Sequence, residues 1–270
     1  MKKSRNTSMK PDRGLRDKLY SLSPVAGILL LWQIVSDSGL VPSFMLPSPL
    51  TVMRAFFADL PLLLENLGIT LLEAMLGLGS GVALGFLFAL AMERWNGLRL
   101  ALYPLLVFSQ TVPTVAIAPL LVLWMGFGLA PKVLVVFLVT FFPITVNLLE
   151  SFRATDPDRL RLLEAMGASR GQLFRFAKWP NAMEPFFAAL KVSASYSVVG
   201  AVIAEWLGGT KGLGVYMTQV RKSFAYDKMF AVIFLISALS LALLFLLERL
   251  KAISMPWKRA ADPQQEEKRK

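Results

Sequence analysis

Few residues in this chain could do chemistry, and their types narrow what that chemistry is. Its 270 residues include no His and no Cys. That removes disulfides, thiolate or imidazole metal sites, and Ser-His-Asp or Cys-His nucleophilic catalysis. Asp156-x-Asp158 is too slight a carboxylate pair for a metal-dependent transferase. No Gly-x4-Gly-Lys-[Ser/Thr] run is present, and Gly208-Gly-Thr-Lys-Gly-Leu-Gly214 has its glycines and lysine in the wrong order for a phosphate cradle. What remains are polar side chains set in apolar runs. Glu73, Lys132, Lys191 and Glu205 lie in such runs, where an ionisable group costs roughly 2.5–3.5 kcal/mol on insertion scales. Each either lines a water-filled cavity, forms a structural pair, or snorkels to a helix end. Ser109, Gln110 and Thr111 directly precede Pro113. Unwound backbone in a membrane lines cavities, so this patch is a candidate solute contact; interhelical hydrogen bonding explains it equally well. Ser193, Ser195, Tyr196 and Ser197 carry the same two readings.

The elements that must hold these residues follow from composition. The chain is 55% hydrophobic and 17% charged, with a net charge of +11, whereas a soluble domain carries about 25% charge. Six stretches are apolar and long enough to span a bilayer, roughly 22–38, 67–92, 100–125, 131–149, 184–207 and 229–248. The first follows a basic tail but lacks a small-residue cleavage site, so it reads as a retained span. The third carries Pro104, Pro113 and Pro119 and must kink or break. Gly77, Gly81 and Gly85 form a small-xxx-small ladder, which reads as close helix packing.

Lys and Arg place the ends. The tail before Tyr20, the 93–99 loop, the 151–180 loop and the tail from Arg249 together hold 22, against five on the opposite side. The positive-inside rule then puts both termini in the cytoplasm. The basic balance is a topology signal and requires no nucleic-acid partner.

The 151–180 loop is too structured for a bare connector. Thr155 or Asp156 can cap a first short helix, with Pro157 at its first position and Asp158 at the positive end of its dipole. Gly167 fits a left-handed C′ position. Ser169-x-x-Gln172 is a capping box for a second helix, which Pro180 is expected to close. Leu162, Leu163 and Met166 make one apolar patch and Leu173, Phe176 and Trp179 another, flanked by Arg159, Arg161, Arg170 and Arg175. Such an elbow is either a docking knob for a partner groove or a pair of helices lying on the inner leaflet.

This loop resembles the cytoplasmic signature of ATP-binding cassette (ABC) importer permeases. Gly167 and Pro180 match the signature's Gly and its closing Pro, thirteen places apart. Arg161-Leu162-Leu163 stands where the pattern has Glu-Ala-Ala, Glu164-Ala165 lies three places later, and Trp179 replaces Leu. Leu31-Trp32-Gln33, Leu46-Pro47-Ser48-Pro49, Pro113-x5-Pro119 with Trp124-x-Gly126, and Glu205 before Gly212-Leu213-Gly214 resemble the nitrate/sulfonate/taurine branch. Thr70-Leu-Leu-Glu73-Ala and Ser109-Gln110-Thr111-Val112-Pro113 look more like its permeases for thiamine pyrimidine precursors or riboflavin.

The resemblance implies an all-α polytopic permease of the type I importer fold, with six transmembrane helices. It would comprise a basic tail (1–21), a permease domain (22–250) and a charged tail (251–270). The implied setting is the bacterial inner membrane, with a homodimer or paired permease, membrane lipid, cytoplasmic ABC ATPase subunits and an extracytoplasmic solute-binding protein. ATP and Mg would bind the ATPase, leaving this chain without a cofactor, a metal or enzymatic activity. Arg161, Glu164, Ala165, Gly167, Ala168, Ser169, Leu173, Phe176 and Pro180 would couple to that motor. Ser109, Gln110, Thr111, Pro113, Tyr196, Glu205 and Glu73 are the candidates for the translocation path. The expected cargo is a thiamine pyrimidine precursor or a related heterocycle, with a sulfonate, taurine or nitrate as the alternative. A secondary transporter or channel is the reading from another class; it would call for internal repeats and chains of intramembrane acids.

Overall fold

The computed structural model describes residues 13–256, and side chains from 23 to 256 together with Tyr20. Residues 1–12 and 257–270, which hold most of the two expected tails, lie outside it. Every regular element among the described residues is helical. The chain divides into two compact units, one drawn from the chain up to Asp59 with Val220–Ala231, the other from Leu60–Gln219 with the chain from Val232.

In the first unit, α1 (Arg13–Asp37) leads through a short connection to α2 (Pro49–Ala58). The Trp32 indole N–H donates to the Pro47 carbonyl (3.1 Å) and the Ser36 hydroxyl to Leu46 O (2.9 Å), which folds the connection back on α1. Ser48 caps α2, its hydroxyl accepting from Thr51 N, and Pro49 occupies the first turn, where its missing N–H costs nothing. Lys228 pairs with Asp59 at 2.7 Å and Phe230 packs on Trp32.

The second unit is built on three long helices, α3 (Leu60–Arg94), α6 (Leu129–Arg153) and α9 (Trp179–Gly208), which pack on one another. The glycine ladder decides how closely α3 meets α6. A Cβ at Gly77 would fall inside the Val136 side chain, one at Gly81 would strike Thr140, and one at Gly85 would press on Thr145 and Ile144. The ladder is therefore packing, as its spacing suggested. Ala74, Val136, Val198 and Ala201 close the middle of the three-helix core. Met92, Leu106, Ile144, Leu148 and Phe152 fill one end.

The connection between α3 and α6 holds α4 (Asn96–Ser109) and α5 (Thr114–Met125), which meet at a 99° bend. The chain tolerates Pro104 and Pro119 inside these helices, and only Pro113 breaks the run. Pro113 cannot donate to the preceding turn, and its ring pushes Val112 out of helical geometry. The end of α4 tightens instead, with Thr111 N bonding Phe108 O at 3.0 Å. The Ser109 and Thr111 hydroxyls donate to Leu106 O (2.7 Å) and Phe108 O (2.8 Å), adding side-chain bonds to the carbonyls at the end of α4.

After α6 come α7 (Pro157–Ala165), α8 (Arg170–Leu173), a π-helical turn over Phe174–Lys178, and α9; α10 (Leu213–Lys222) and α11 (Tyr226–Ser254) follow. Two expectations change here. Pro180 does not close the second elbow helix: the chain runs helically from Arg170 to Gly208. The π turn explains this, because Trp179 N reaches back to Phe174 O and the widened turn accommodates the proline ring at the start of α9. The count of six spans is not confirmed either. Among the described residues four helices meet the length and apolarity of a span, and the count is five if the bent α4–α5 pair is one broken span rather than a re-entrant loop. Within α1, Ser23–Asp37 is an apolar helical stretch among the residues whose side chains are described.

Candidate functional site

Three polar regions lie on this scaffold, all within the second unit. The first is a cavity of about 820 Å³ at the α4–α5 break. Ser109, Gln110, Pro113 and Thr114 line it from the break, and Tyr196 and Gly200 line it from α9, with walls of Leu, Val, Ile and Phe. Of the path candidates, this brings together Ser109, Gln110, Pro113 and Tyr196. Thr111 is exposed, Glu73 and Glu205 are buried, and none of the three is among the lining residues. No charged side chain is among the lining residues. The volume falls within the range of small-molecule sites, which are mostly apolar with a few placed polar groups.

The second region is the elbow. Asp156, not Thr155, caps α7: its carboxylate accepts from Asp158 N at 2.9 Å, while Thr155 is buried with its hydroxyl on Phe152 O. Gly167 has φ +82°, Gly167 N bonds Glu164 O (2.9 Å) and Ala168 N bonds Leu163 O (3.0 Å). That is a Schellman stop, and a side chain there would be strained. Ser169 and Gln172 form both halves of the capping box. The second apolar patch does not form as one face. Leu173 is buried and Trp179 packs among Phe86, Phe174 and Phe186, whereas Phe176 is 56% exposed. The extra residue in the π turn shifts the helical register between Leu173 and Phe176. The exposed apolar residues of the elbow are Leu162, Met166 and Phe176, with Arg159, Arg161, Arg170 and Arg175 around them and Glu164 and Ala165 also in solvent. The base of the elbow is tied down. Lys178 pairs with Glu93, and the Asn181 amide donates to Ser151 O at 3.0 Å.

The third region is one that sequence reasoning left in pieces. Lys132 Nζ meets Glu73 Oε1 at 2.5 Å, with both side chains almost fully buried. Glu205 is buried beside them, accepting from the Thr70 hydroxyl (2.7 Å) and from Gly214 N (2.5 Å). Asn66 Oδ1 accepts from Gly212 N (2.8 Å) and Thr70 Oγ1 from Leu213 N (2.9 Å). The first N–H groups of α10, which no helical carbonyl can satisfy, are therefore taken by α3 and α9 side chains. Gly212 has φ +123°, and a Cβ there would run into the Glu205 carboxylate. Lys191, read from sequence as lining a cavity, forming a structural pair or snorkelling, pairs with Glu248 at 2.8 Å. At the edge of this region Lys211 pairs with Glu65 (2.8 Å), whose carboxylate holds the exposed ammonium above its ordinary lysine pKa. The available signal was depth. Measured from the ends of the apolar stretches 67–92, 131–149 and 184–207, Glu73, Lys132 and Glu205 all lie within about two turns of the same boundary, whereas Lys191 is about four turns away.

The chain has relatives among known proteins. Residues 81–259 match the family model described as "Binding-protein-dependent transport system inner membrane component". The chain belongs to that family. It is 36% identical over 231 residues to a probable ABC transporter permease protein of Haemophilus influenzae, covering 84% of this chain and 94% of the relative. It is equally 36% identical over 234 residues to the formylaminopyrimidine transport permease protein ThiX of Halalkalibacterium halodurans, covering 86% and 93%. A solved chain titled "Crystal structure of an amino acid ABC transporter with histidines" superposes with a TM-score of 0.59 at 17% identity, covering 73% of this chain and 94% of that one. The protein is thus an inner-membrane permease subunit of an ABC importer, all-helical and not itself an enzyme.

Proposed function

We propose that this permease moves a thiamine pyrimidine precursor or a closely related small heterocycle across the cytoplasmic membrane by alternating access. The observation that carries the reading is the cavity at the Pro113 break. It offers a few hydrogen-bonding groups from Ser109, Gln110 and Tyr196 among apolar and aromatic walls, and no cation among its lining residues. A sulfonate or nitrate would enter that volume without a compensating charge, which is costly in a low-dielectric site. The likeness to a formylaminopyrimidine permease supports the same cargo.

In this reading two permease subunits pair in the membrane, with both termini in the cytoplasm. Cytoplasmic ATPase subunits bind ATP and Mg and seat on the elbow, and an extracytoplasmic binding protein delivers the solute. The exposed Leu162, Met166 and Phe176 supply apolar anchoring, and the surrounding arginines set orientation. Arg161, Glu164, Ala165, Ala168 and Ser169 lie on or next to that surface. Gly167 stops α7, and Leu173 and Pro180 root the elbow in the core. ATP-driven closure of the motor moves the elbow and rocks the helices around the cavity.

The test is reconstitution with the cognate ATPase and binding protein. ATP-dependent uptake of a labelled aminopyrimidine, with taurine unable to compete, is the expected result. Uptake of taurine in preference to the pyrimidine overturns the cargo assignment, and transport by the chain alone without ATP overturns the coupled mechanism.

A further inference from the structure

Two helices in this chain end on the same motif, with different residues at its critical place. After α7, Gly167 takes the left-handed position, which costs glycine little. After α10 the same pattern of bonds recurs: Phe224 N reaches Arg221 O (3.2 Å) and Ala225 N reaches Val220 O (3.0 Å). Here the left-handed position, at φ +56°, is held by phenylalanine, the one non-glycine residue with positive φ among the described residues. A Cβ in that geometry is strained, and glycine would relieve it. The Phe224 ring gains little from the fold in return. It is 67% exposed, and its ring contact is an edge-on approach to Tyr226 at 6.4 Å.

Strain of this kind persists where the surroundings fix it and a function uses it. The segment is fixed within its own unit: Lys228 pairs with Asp59, Phe230 packs on Trp32, and Met229 N bonds Ala225 O at 3.1 Å. Arg221 and Lys222 are exposed in the turn just before Phe224. Cations suit the end of a helix dipole, but the dipole does not call for an exposed aromatic ring beside them. An immobilised aromatic flanked by cations has the composition of a protein-docking anchor. A lipid interface makes no such demand, since an aromatic ring reaches it from unstrained backbone.

The place of the segment in the chain decides the partner. The elbow leads into one end of α9, which runs 30 residues, about 45 Å, before the connection to α10 leaves its other end. With the elbow in the cytoplasm, as proposed above, the chain between α9 and α11 lies on the outer side. The family's transport depends on a binding protein. We propose that Phe224, flanked by Arg221 and Lys222, is a docking anchor for that solute-binding protein, entering an apolar pocket rimmed by Asp and Glu. The inference rests on the orientation given under the proposed function and adds the surface that meets the partner. Holding the ring in place before docking lowers the ordering entropy lost on association, and the two cations steer an acidic rim toward it.

Stability and docking should then move in opposite directions. The experiment uses the full chain with its ATPase in phosphatidylcholine nanodiscs, and the purified cognate binding protein as the probe. Phe224→Gly should unfold no earlier than the wild type and up to about 4 °C higher, yet bind the binding protein about tenfold or more weakly. Phe224→Asn, which tolerates left-handed backbone without glycine's freedom, should lose affinity to the same degree. Arg221→Glu combined with Lys222→Glu should slow association and flatten its salt dependence. Wild-type affinity in Phe224→Gly or in Phe224→Asn overturns the inference. So does a Phe224→Gly protein that unfolds below the wild type, because the ring would then be part of the fold. A loss of affinity in the double charge variant that appears only in phosphatidylglycerol nanodiscs assigns the cluster to lipid and overturns it too. No readout uses uptake or cargo, so the transport reading stands or falls on its own test.

Discussion

Two ion pairs on the same scaffold show how differently charge can be used. Lys132–Glu73 and Arg161–Asp158 each join a basic and an acidic side chain, at 2.5 and 3.2 Å. The first is 6% and 1% exposed, the second 78% and 86%. In water an ion pair is screened and contributes ~0–1 kcal/mol. Buried, the same pairing is a constraint, because either partner left alone is a stranded charge. The trio of Glu73, Lys132 and Glu205 therefore fixes how α3, α6, α9 and the Gly209–Gly214 connection meet, whereas the elbow's charges stay in solvent. Rigidity at one place and availability at the other suit a subunit that must transmit motion without losing its core.

Substitutions can break or sharpen this contrast. The largest effect is expected from Lys132→Met, which leaves a buried carboxylate unbalanced and should cost about 3–5 kcal/mol, read as loss of folded, detergent-stable protein. Retention of wild-type stability would mean that the trio is not charge-balanced through Lys132. Gly77→Val should follow at about 1–3 kcal/mol, since its branched side chain has to displace Val136 across the α3–α6 contact. A Gly167→Ala change should cost about 1–2 kcal/mol for holding a Cβ in left-handed geometry. It should also weaken co-purification of the ATPase more than it weakens the fold. The smallest stability effect is expected at the elbow surface. Asp158→Asn and Phe176→Ala should each stay within about 0.5 kcal/mol of wild type. Phe176→Ala should nonetheless reduce ATPase capture measurably, and unchanged capture would count against the elbow as the docking surface.

Much of the elbow was legible because its signals are local. Asp156, Gly167 and the Ser169–Gln172 pair act within one or two turns, where type and spacing alone set the geometry. Pro180 misled for the opposite reason. Its effect depends on the turn before it, and a π turn over Phe174–Lys178 leaves no mark in the hydrophobic period. That turn also buries Leu173 while exposing Phe176. The Pro113 break was foreseeable, but which of three prolines would break the run was not. The apolar stretches likewise announced a polytopic chain without fixing how many of them cross.

By itself, then, the sequence determined a helical membrane protein without histidine or cysteine, a broken helix in its third apolar stretch, an elbow with a glycine stop, and the family these features belong to. Each rests on composition or on neighbours a few residues apart. The tertiary structure alone decided that Glu73 pairs with Lys132, 59 positions away, and that Thr70 bonds Glu205, 135 positions away. It also decided that Ser109 and Tyr196 share one cavity. Sequence distance carries no record of which buried charge will face which. That is set by the approach of α3 to α6 and α9, which the glycine ladder permits and the packing of the whole unit completes.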